Sequence, residues 1–240
     1  MIQEKKGLDW SSYAKSYDLL LSYNPFYQAL QEDILQNCRA WQIEPDDLII
    51  DLGAGTGNYS LPIAQFFPAA RVLHIEPNEG MNTRTREKIA SMGLENVSIL
   101  PSYAEEVKLS TNSVSACVCI HAFYTFKDPV ASIQNIYRWL KPGGMAVLVD
   151  AGRKVRVIDW QIAIGWHLIS TYGLKKALEI MQSGKEVSKQ NAYIRKKQNI
   201  GEYWLHSHEE FVSHIKEAGF EILEAKKTFR GVSDFVVVRK

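Results

Sequence analysis

Cysteine is scarce. Three residues, Cys38, Cys117 and Cys119, stand in a chain of 240, too few for a disulfide scaffold. There is no Cys-x-x-Cys pair and no Cys/His cluster at zinc spacing, so no metal centre is expected. An excess of one charge is also missing. The 28 Lys and Arg against 27 Asp and Glu leave a net charge of +1, without the basic surplus that phosphate backbones call for. Nucleic acid is therefore not the expected partner. Long apolar runs are absent as well. Residues 1–8 are polar, so no signal peptide is expected. The longest mostly apolar stretch, 160–169, is broken by Gln161 and His167 and is far short of the ~20 residues a membrane span needs. These absences lead to the expectation of a reduced, cytoplasmic chain, monomer or homodimer, with no membrane partner.

What is present is an alternation. Short apolar runs at 48–52, 71–75, 97–100, 114–120 and 145–149 read as strands. They are nearly continuous in apolar character, as strands covered on both faces should be. Between them, 58–67, 78–92 and 129–140 show helical spacing, with Asn78 placed to cap the second. The third ends in Lys141-Pro142-Gly143-Gly144, which stops a helix and turns the chain. The pattern predicts an α/β fold with a parallel sheet and right-handed crossovers. Two helices, 10–23 and 25–41, are expected before the first strand.

The rhythm stops after Asp150. Residues 151–205 are rich in Trp and Tyr and carry ten Lys and Arg against four Asp and Glu. They read as an insertion over the sheet. Ser207-His208-Glu209-Glu210 then has capping-box spacing. A helix ending at Gly219 follows, and strands at 220–227 and 232–239 form a hairpin around Gly231.

The strongest motif is Asp51-Leu52-Gly53-Ala54-Gly55-Thr56-Gly57-Asn58. A strand enters a turn without Cβ atoms, where backbone N–H groups can approach a ligand. The dinucleotide fingerprint Gly-x-Gly-x-x-Gly is not met, because position 58 is Asn and position 60 is Ser. A phosphate-binding P-loop would need Gly-Lys-Ser/Thr, which is absent. The Gly-x-Gly-x-Gly pattern resembles the first motif of class I S-adenosylmethionine-dependent methyltransferases. Glu76 follows Gly57 by nineteen residues, at the end of the second expected strand. Glu76-Pro77-Asn78-x-x-Met81, Ser102-Tyr103-Ala104-Glu105, Arg138-Trp139-Leu140-Lys141-Pro142-Gly143-Gly144 and Ala218-Gly219-Phe220 are similar to further landmarks of that family. Tyr13-Ala14-x-x-Tyr17-Asp18 is similar to an N-terminal motif of its small-molecule members. The likeness covers about 10–150 and 207–240.

The resemblance implies a Rossmann-like, doubly wound, mostly parallel seven-stranded sheet with an antiparallel last strand and a helical cap insertion. It divides the chain into an N-terminal helical lid (1–45), a cofactor-binding core (46–150), a cap that binds the acceptor (151–206) and a C-terminal completion of the sheet (207–240). It implies S-adenosylmethionine as cofactor, held by Tyr17, Asp51, Gly53, Ala54, Gly55, Gly57, Asn58, Glu76, Pro77, Met81, Tyr103, Ala104, Glu105 and His121. Glu76 would accept both ribose hydroxyls, and Met81 would flank the adenine. Two departures stand out: Tyr103 replaces the usual acidic residue, and Ser115 replaces an Asp.

Several residues admit two readings. Asp51, charged inside an apolar strand, either holds the cofactor's amino group through water or orders the glycine loop. Tyr13 and Tyr17 share a helix face, as core or as lid. Phe123, Tyr124, Trp160, Trp166 and Tyr203 join them as acceptor-pocket candidates, or form a core of the insertion. His121 and His167 are the catalytic candidates, as contacts or as bases near neutral pH. The expected activity is methyl transfer to an oxygen or nitrogen of a small-molecule acceptor. The alternatives are an RNA or protein methyltransferase, or a non-catalytic protein that binds the same cofactor.

Overall fold

The structure, a computed structural model, describes residues 22–240 together with Ala14 and Asp18. Tyr13 and Tyr17 lie outside those residues, as does most of the helix expected over 10–23. Helix α1 (Pro25–Arg39) begins where Asn24 accepts hydrogen bonds from the backbone of Phe26 and Tyr27. The chain then alternates β1 (Leu48–Leu52), α2 (Ser60–Phe66), β2 (Arg71–Ile75), α3 (Glu79–Met92), β3 (Val97–Leu100), β4 (Val114–Ile120), α4 (Pro129–Trp139) and β5 (Leu140–Asp150). The insertion forms α5 (Val157–Ser183) and α6 (Lys185–Asn199), and α7 (His208–Glu217), β6 (Glu221–Thr228) and β7 (Ser233–Arg239) complete the chain. Both expected caps are present: Asn78 accepts from the backbone of Met81, and Ser207 with Glu210 closes a reciprocal capping box.

The seven strands pair in the order β3-β2-β1-β4-β5-β7-β6. β1 to β5 are parallel, and β7 runs antiparallel to both of its neighbours. Because side chains alternate along a strand, each strand feeds two cores. Ile49, Val72, Ala116, Val118, Val147 and Val237 pack toward α1 and α2 with Leu30, Ile34 and Ile63. Ile50, Cys117, Cys119, Leu148 and Val236 pack toward α4 and α7 with Ile133, Trp139 and Phe211. This double covering is why the strands read as continuous apolar runs. The three cysteines are buried and free.

One boundary differs from expectation. Helix α4 stops at Trp139 and Leu140 already pairs with Val114, while Ala116 pairs with Met145. Residues 141–144, expected as a plain turn, are a bulge within a longer β5. Pro142 is tolerated there because a bulge needs no ladder donor.

The strand order reverses between β1 and β4, the position where open α/β sheets leave a crevice at their carboxyl ends. The loop after β1, Glu76 after β2 and His121 after β4 all open onto it. The insertion is anchored beside them. The N–H of His206 donates to the carbonyl of Gly152 and that of Trp204 to the carbonyl of Tyr124, each at 3.0 Å. Arg153 grips the buried carboxylate of Asp234 with two nitrogens at 2.6 and 2.9 Å, and His208 meets the same carboxylate at 2.8 Å. His206 reaches the buried Asp150 at 3.2 Å.

Candidate active site

The glycines of the loop serve different purposes. Gly53 has φ +73°, and a Cβ there would lie 2.4 Å from the Cβ of Ala122. It is glycine so that β1 and the segment after β4 can touch. Gly55 has φ +57°, and a Cβ there would meet nothing within 4 Å. Its open side faces a cavity that Gly53, Ala54 and Asn58 also line. Gly57, expected at the cofactor, is not among the lining residues; a Cβ there would press on Thr85 and Leu61 at 3.0 and 3.1 Å. Its part is packing against α3.

Asp51 is almost wholly buried, and its Oδ2 accepts the backbone N–H and the hydroxyl of Ser60 at 2.9 and 2.6 Å. Ser60 begins α2, so the carboxylate ties β1 to the first turn beyond the glycine loop. Of the two readings of Asp51, this arrangement matches the ordering of the loop. Burial pushes its pKa up to about 7 against the donors from Ser60. Ser60 is shared with the buried His74, whose Nδ1 lies 2.8 Å from the hydroxyl. Since that hydroxyl donates to Asp51, His74 donates to it.

A second tie holds the loop from outside. The carboxylate of Asp18 accepts from the Thr56 hydroxyl at 2.9 Å, from Lys88 at 2.7 Å and from Arg84 at 3.1 Å. Lys88 also donates to the carbonyl of Thr56 and the side-chain oxygen of Asn58, both at 3.0 Å. Partial burial raises the pKa of Asp18, but the donors from Lys88, Thr56 and Arg84 outweigh it, so its carboxyl titrates below the ordinary range.

Glu76 follows β2. Its Oε2 accepts the N–H of Gly55 at 3.0 Å and its Oε1 that of Asn78 at 2.8 Å. Each carboxylate oxygen keeps a further lone pair, and Glu76 lines the cavity with Pro77, Met81, Tyr103, Ala104 and Glu105. The Tyr103 ring is 58% exposed at the rim. Glu105 accepts the backbone N–H of Lys127.

His121 sits just past β4 with φ +51°, a conformation few residues other than glycine adopt. Its Nε2 lies 2.8 Å from the hydroxyl of Ser233, and its ring packs edge-on against Tyr27 and is tilted against Phe229. Ser233 is fully buried, and its hydroxyl has no other partner among the described residues. A buried hydroxyl proton left unused is costly, so it goes to Nε2. The imidazole proton then resides on Nδ1. Burial lowers the pKa of His121 to about 4, so the ring is neutral at pH 7. In this tautomer the ring presents Nδ1–H, a donor, to the cavity rather than a lone pair that would act as a base.

The same cavity continues under the insertion. Tyr23, Tyr27, Tyr124, Trp160, Ile164 and Leu168 line it, with Tyr203, Phe229, Val187 and Gln198. Trp160 packs on Phe229 at 4.6 Å and on Phe26 at 5.2 Å. Tyr203 stands edge-on to Tyr124 at 5.4 Å, and burial raises its pKa to about 12. Three expected residues lie elsewhere. Phe123 is fully buried against Phe126 and Phe211, in the core on the α4 side. Trp166 and His167 are not cavity residues. On α5 the positions 160, 164 and 168 face inward at four-residue spacing, which carries Trp166 to the outer side, where it is 75% exposed.

Tyr27, Phe229, Ser233 and the Asp18–Lys88 tie were not foreseen as site residues. Ser233 is 112 positions from His121, and no local pattern links them. Tyr27 and Phe229 lie outside the aromatic-rich segment 151–205, and nothing local in the sequence marked them.

Residues 50–148 match a family model described as a methyltransferase domain. The chain is 27% identical over 156 residues to 2-methyl-6-phytyl-1,4-hydroquinone methyltransferase 1, a chloroplastic protein of Oryza sativa; the match covers 62% of this chain and 44% of that protein. It is 28% identical over 156 residues to ribosomal RNA small subunit methyltransferase G of Acidothermus cellulolyticus, covering 63% and 64%. The chain thus spans less than two thirds of the length of either relative. Its fold matches that of a SAM-dependent methyltransferase of Aquifex aeolicus with a TM-score of 0.62 at 17% identity, over 95% of this chain and 97% of that one.

Proposed function

We propose that this chain, whose residues 50–148 form a class I S-adenosylmethionine-dependent methyltransferase domain, transfers a methyl group to an oxygen or nitrogen of a small, largely apolar acceptor. The observation that carries this reading is the continuity of the cavity. One space of about 1550 Å³ runs from Gly55, Glu76 and Met81 to Tyr27, Trp160 and Phe229. That exceeds the roughly 300–1,000 Å³ of a site for one small molecule, so it has room for a cofactor and an acceptor together.

The cofactor is S-adenosylmethionine, and the residues present fit it. The Gly55 backbone is open on its cavity side, so a nucleoside can approach it. Glu76, with both oxygens oriented by backbone donors, suits the two ribose hydroxyls. Met81, Tyr103 and Ala104 provide the apolar surroundings of a purine. When bound, the cofactor supplies a methyl group already activated by its positive sulfur.

The protein's own work is then binding, orientation and exclusion of water. Positioning of this kind supplies roughly 7–11 kcal/mol. The walls at Tyr27, Trp160, Tyr124 and Phe229 keep water from the acceptor side. His121, held by Ser233, offers Nδ1–H to an acceptor oxygen that enters as its anion, such as a phenolate, whereas a neutral amine attacks first and releases its proton to solvent afterwards. Every carboxylate lining the cavity already has a partner: Asp51 with Ser60, Glu76 with Gly55 and Asn78, Glu79 with Arg86, Glu105 with Lys127, and Glu202 with Lys197. An aromatic or isoprenoid acceptor would match the walls at Tyr27, Trp160 and Phe229. The hydroquinone relative supports that class, and it is a property of the relative alone.

The test is transfer of tritium from methyl-labelled S-adenosylmethionine in a cell extract. Label is expected in a solvent-extractable small product. Label retained on RNA, as the ribosomal RNA relative and the basic insertion would favour, or on protein would overturn the small-molecule reading.

A further inference from the structure

Helix α5 is apolar on two sides, and only one of them is used. Its inner side, Trp160, Ile164 and Leu168, lines the cavity. On its outer side Ile158, Ile162, Trp166 and Ile169 recur at helical spacing, exposed by 73%, 67%, 75% and 44%. Beyond the break at Gly173, where φ is +76° and ψ is +163°, Leu174 and Leu178 are exposed as well. A helix apolar all round is normally buried on all sides, and a contiguous exposed patch of this kind marks a docking face.

We propose that the outer face of α5 docks on the surface of an anionic lipid bilayer. Charge selects this occupant. Residues 151–205 carry ten Lys and Arg against four Asp and Glu, and Lys154, Lys175 and Lys196 are exposed. An exposed apolar row with a tryptophan, carried on an insertion with a net excess of cations, fits a helix lying in the interface of a bilayer with negative lipids. Tryptophan is at home at that depth. A second copy of the chain would bring the same positive charge against this one. A nucleic acid would meet a row of isoleucines with no donors to read it. Among the described residues no helix is long and apolar enough to cross a membrane, so the helix lies on the surface. The lack of a spanning segment in the sequence argues against a membrane-crossing chain and says nothing of a helix lying on the bilayer surface.

Docking in this way sets the cavity against the lipid. Trp160 lines the cavity and Trp166 is exposed on the same helix, so docking brings one wall of the cavity to an apolar acceptor dissolved in the bilayer. That delivery step rests on the methyl-transfer reading; the docking does not.

The test uses the full chain and sedimentation with vesicles. The protein should pellet with vesicles of phosphatidylcholine and phosphatidylglycerol, and much less with phosphatidylcholine alone. The double variant Ile162→Ser, Trp166→Ser should lower the pelleted fraction at least about fivefold, as removal of two buried anchors implies. Calorimetric titration with S-adenosylhomocysteine in the same samples reports folding and the cofactor site separately. No pelleting with the anionic vesicles, or equal pelleting of the double variant, overturns the proposal. So does a wild-type dimer in analytical ultracentrifugation that the variant dissociates, or RNA retention that the variant abolishes.

Discussion

Replacing Gly53 or Gly55 by alanine adds the same methyl group two residues apart, with opposite expected consequences. At Gly53 the new Cβ would lie 2.4 Å from the Cβ of Ala122, where carbon atoms prefer about 3.5–4.0 Å. Relief of that overlap costs roughly 1–3 kcal/mol, and the left-handed backbone adds about 1–2 kcal/mol. The sum is about 2–5 kcal/mol, which for a chain of this size lowers Tm by roughly 4–20 °C. At Gly55 the Cβ meets no atom, so only the backbone contribution applies and Tm falls by a few degrees. That methyl group projects into the cavity instead, and affinity for S-adenosylhomocysteine should fall at least about tenfold, the loss of one close backbone approach. Thermal melts and calorimetric titrations on both variants give the four numbers. A Gly53→Ala protein that melts like wild type, or a Gly55→Ala protein that keeps full affinity, would refute the division of labour in the loop.

Other expectations follow from the buried groups. The pKa of Asp51 is raised on folding to about 7, so the stability it contributes is complete below its unfolded value and is lost as pH rises through 7. Asp51→Asn should therefore flatten the loss of stability between about pH 4 and 7, by at most about 4 kcal/mol, read from urea midpoints. Asp18 has a lowered pKa, so its contribution is present above the unfolded value and disappears as acid takes the pH below the carboxylate range. Asp18→Ala should cost about 1 kcal/mol at pH 7 and nothing at pH 2, the size reflecting the half-exposed Arg84. Nitrogen-15 spectra of histidine-labelled protein should show His121 protonated on Nδ1, with Ser233→Thr keeping that pattern and Ser233→Ala losing it. An Nε2-protonated ring in the wild type would contradict the tautomer assigned from Ser233.

The sheet was legible because its strands are covered on both faces: runs such as 48–52 and 114–120 must be apolar throughout, and that is visible without knowing their neighbours. The caps at Asn78 and Ser207 were legible because each bonds within three residues. The glycine loop and Glu76 were legible for a similar reason, since a turn and a strand end are local events.

What each glycine touches was not legible, because Ala122 and Thr85 come from other segments of the chain. Only the tertiary structure separated Gly53 and Gly57, which make room for neighbours, from Gly55, whose open side faces the cavity. The same holds for His121. Its residue type offers a base, a donor or a cation with nearly equal ease; burial and a serine 112 positions away decide among them. Helix α5 makes the point in reverse. Its composition shows many apolar residues, but composition does not say which side of a helix meets a cavity and which meets water. Local order is written in neighbouring residues, while the choice between packing, binding and docking depends on distant parts of the chain.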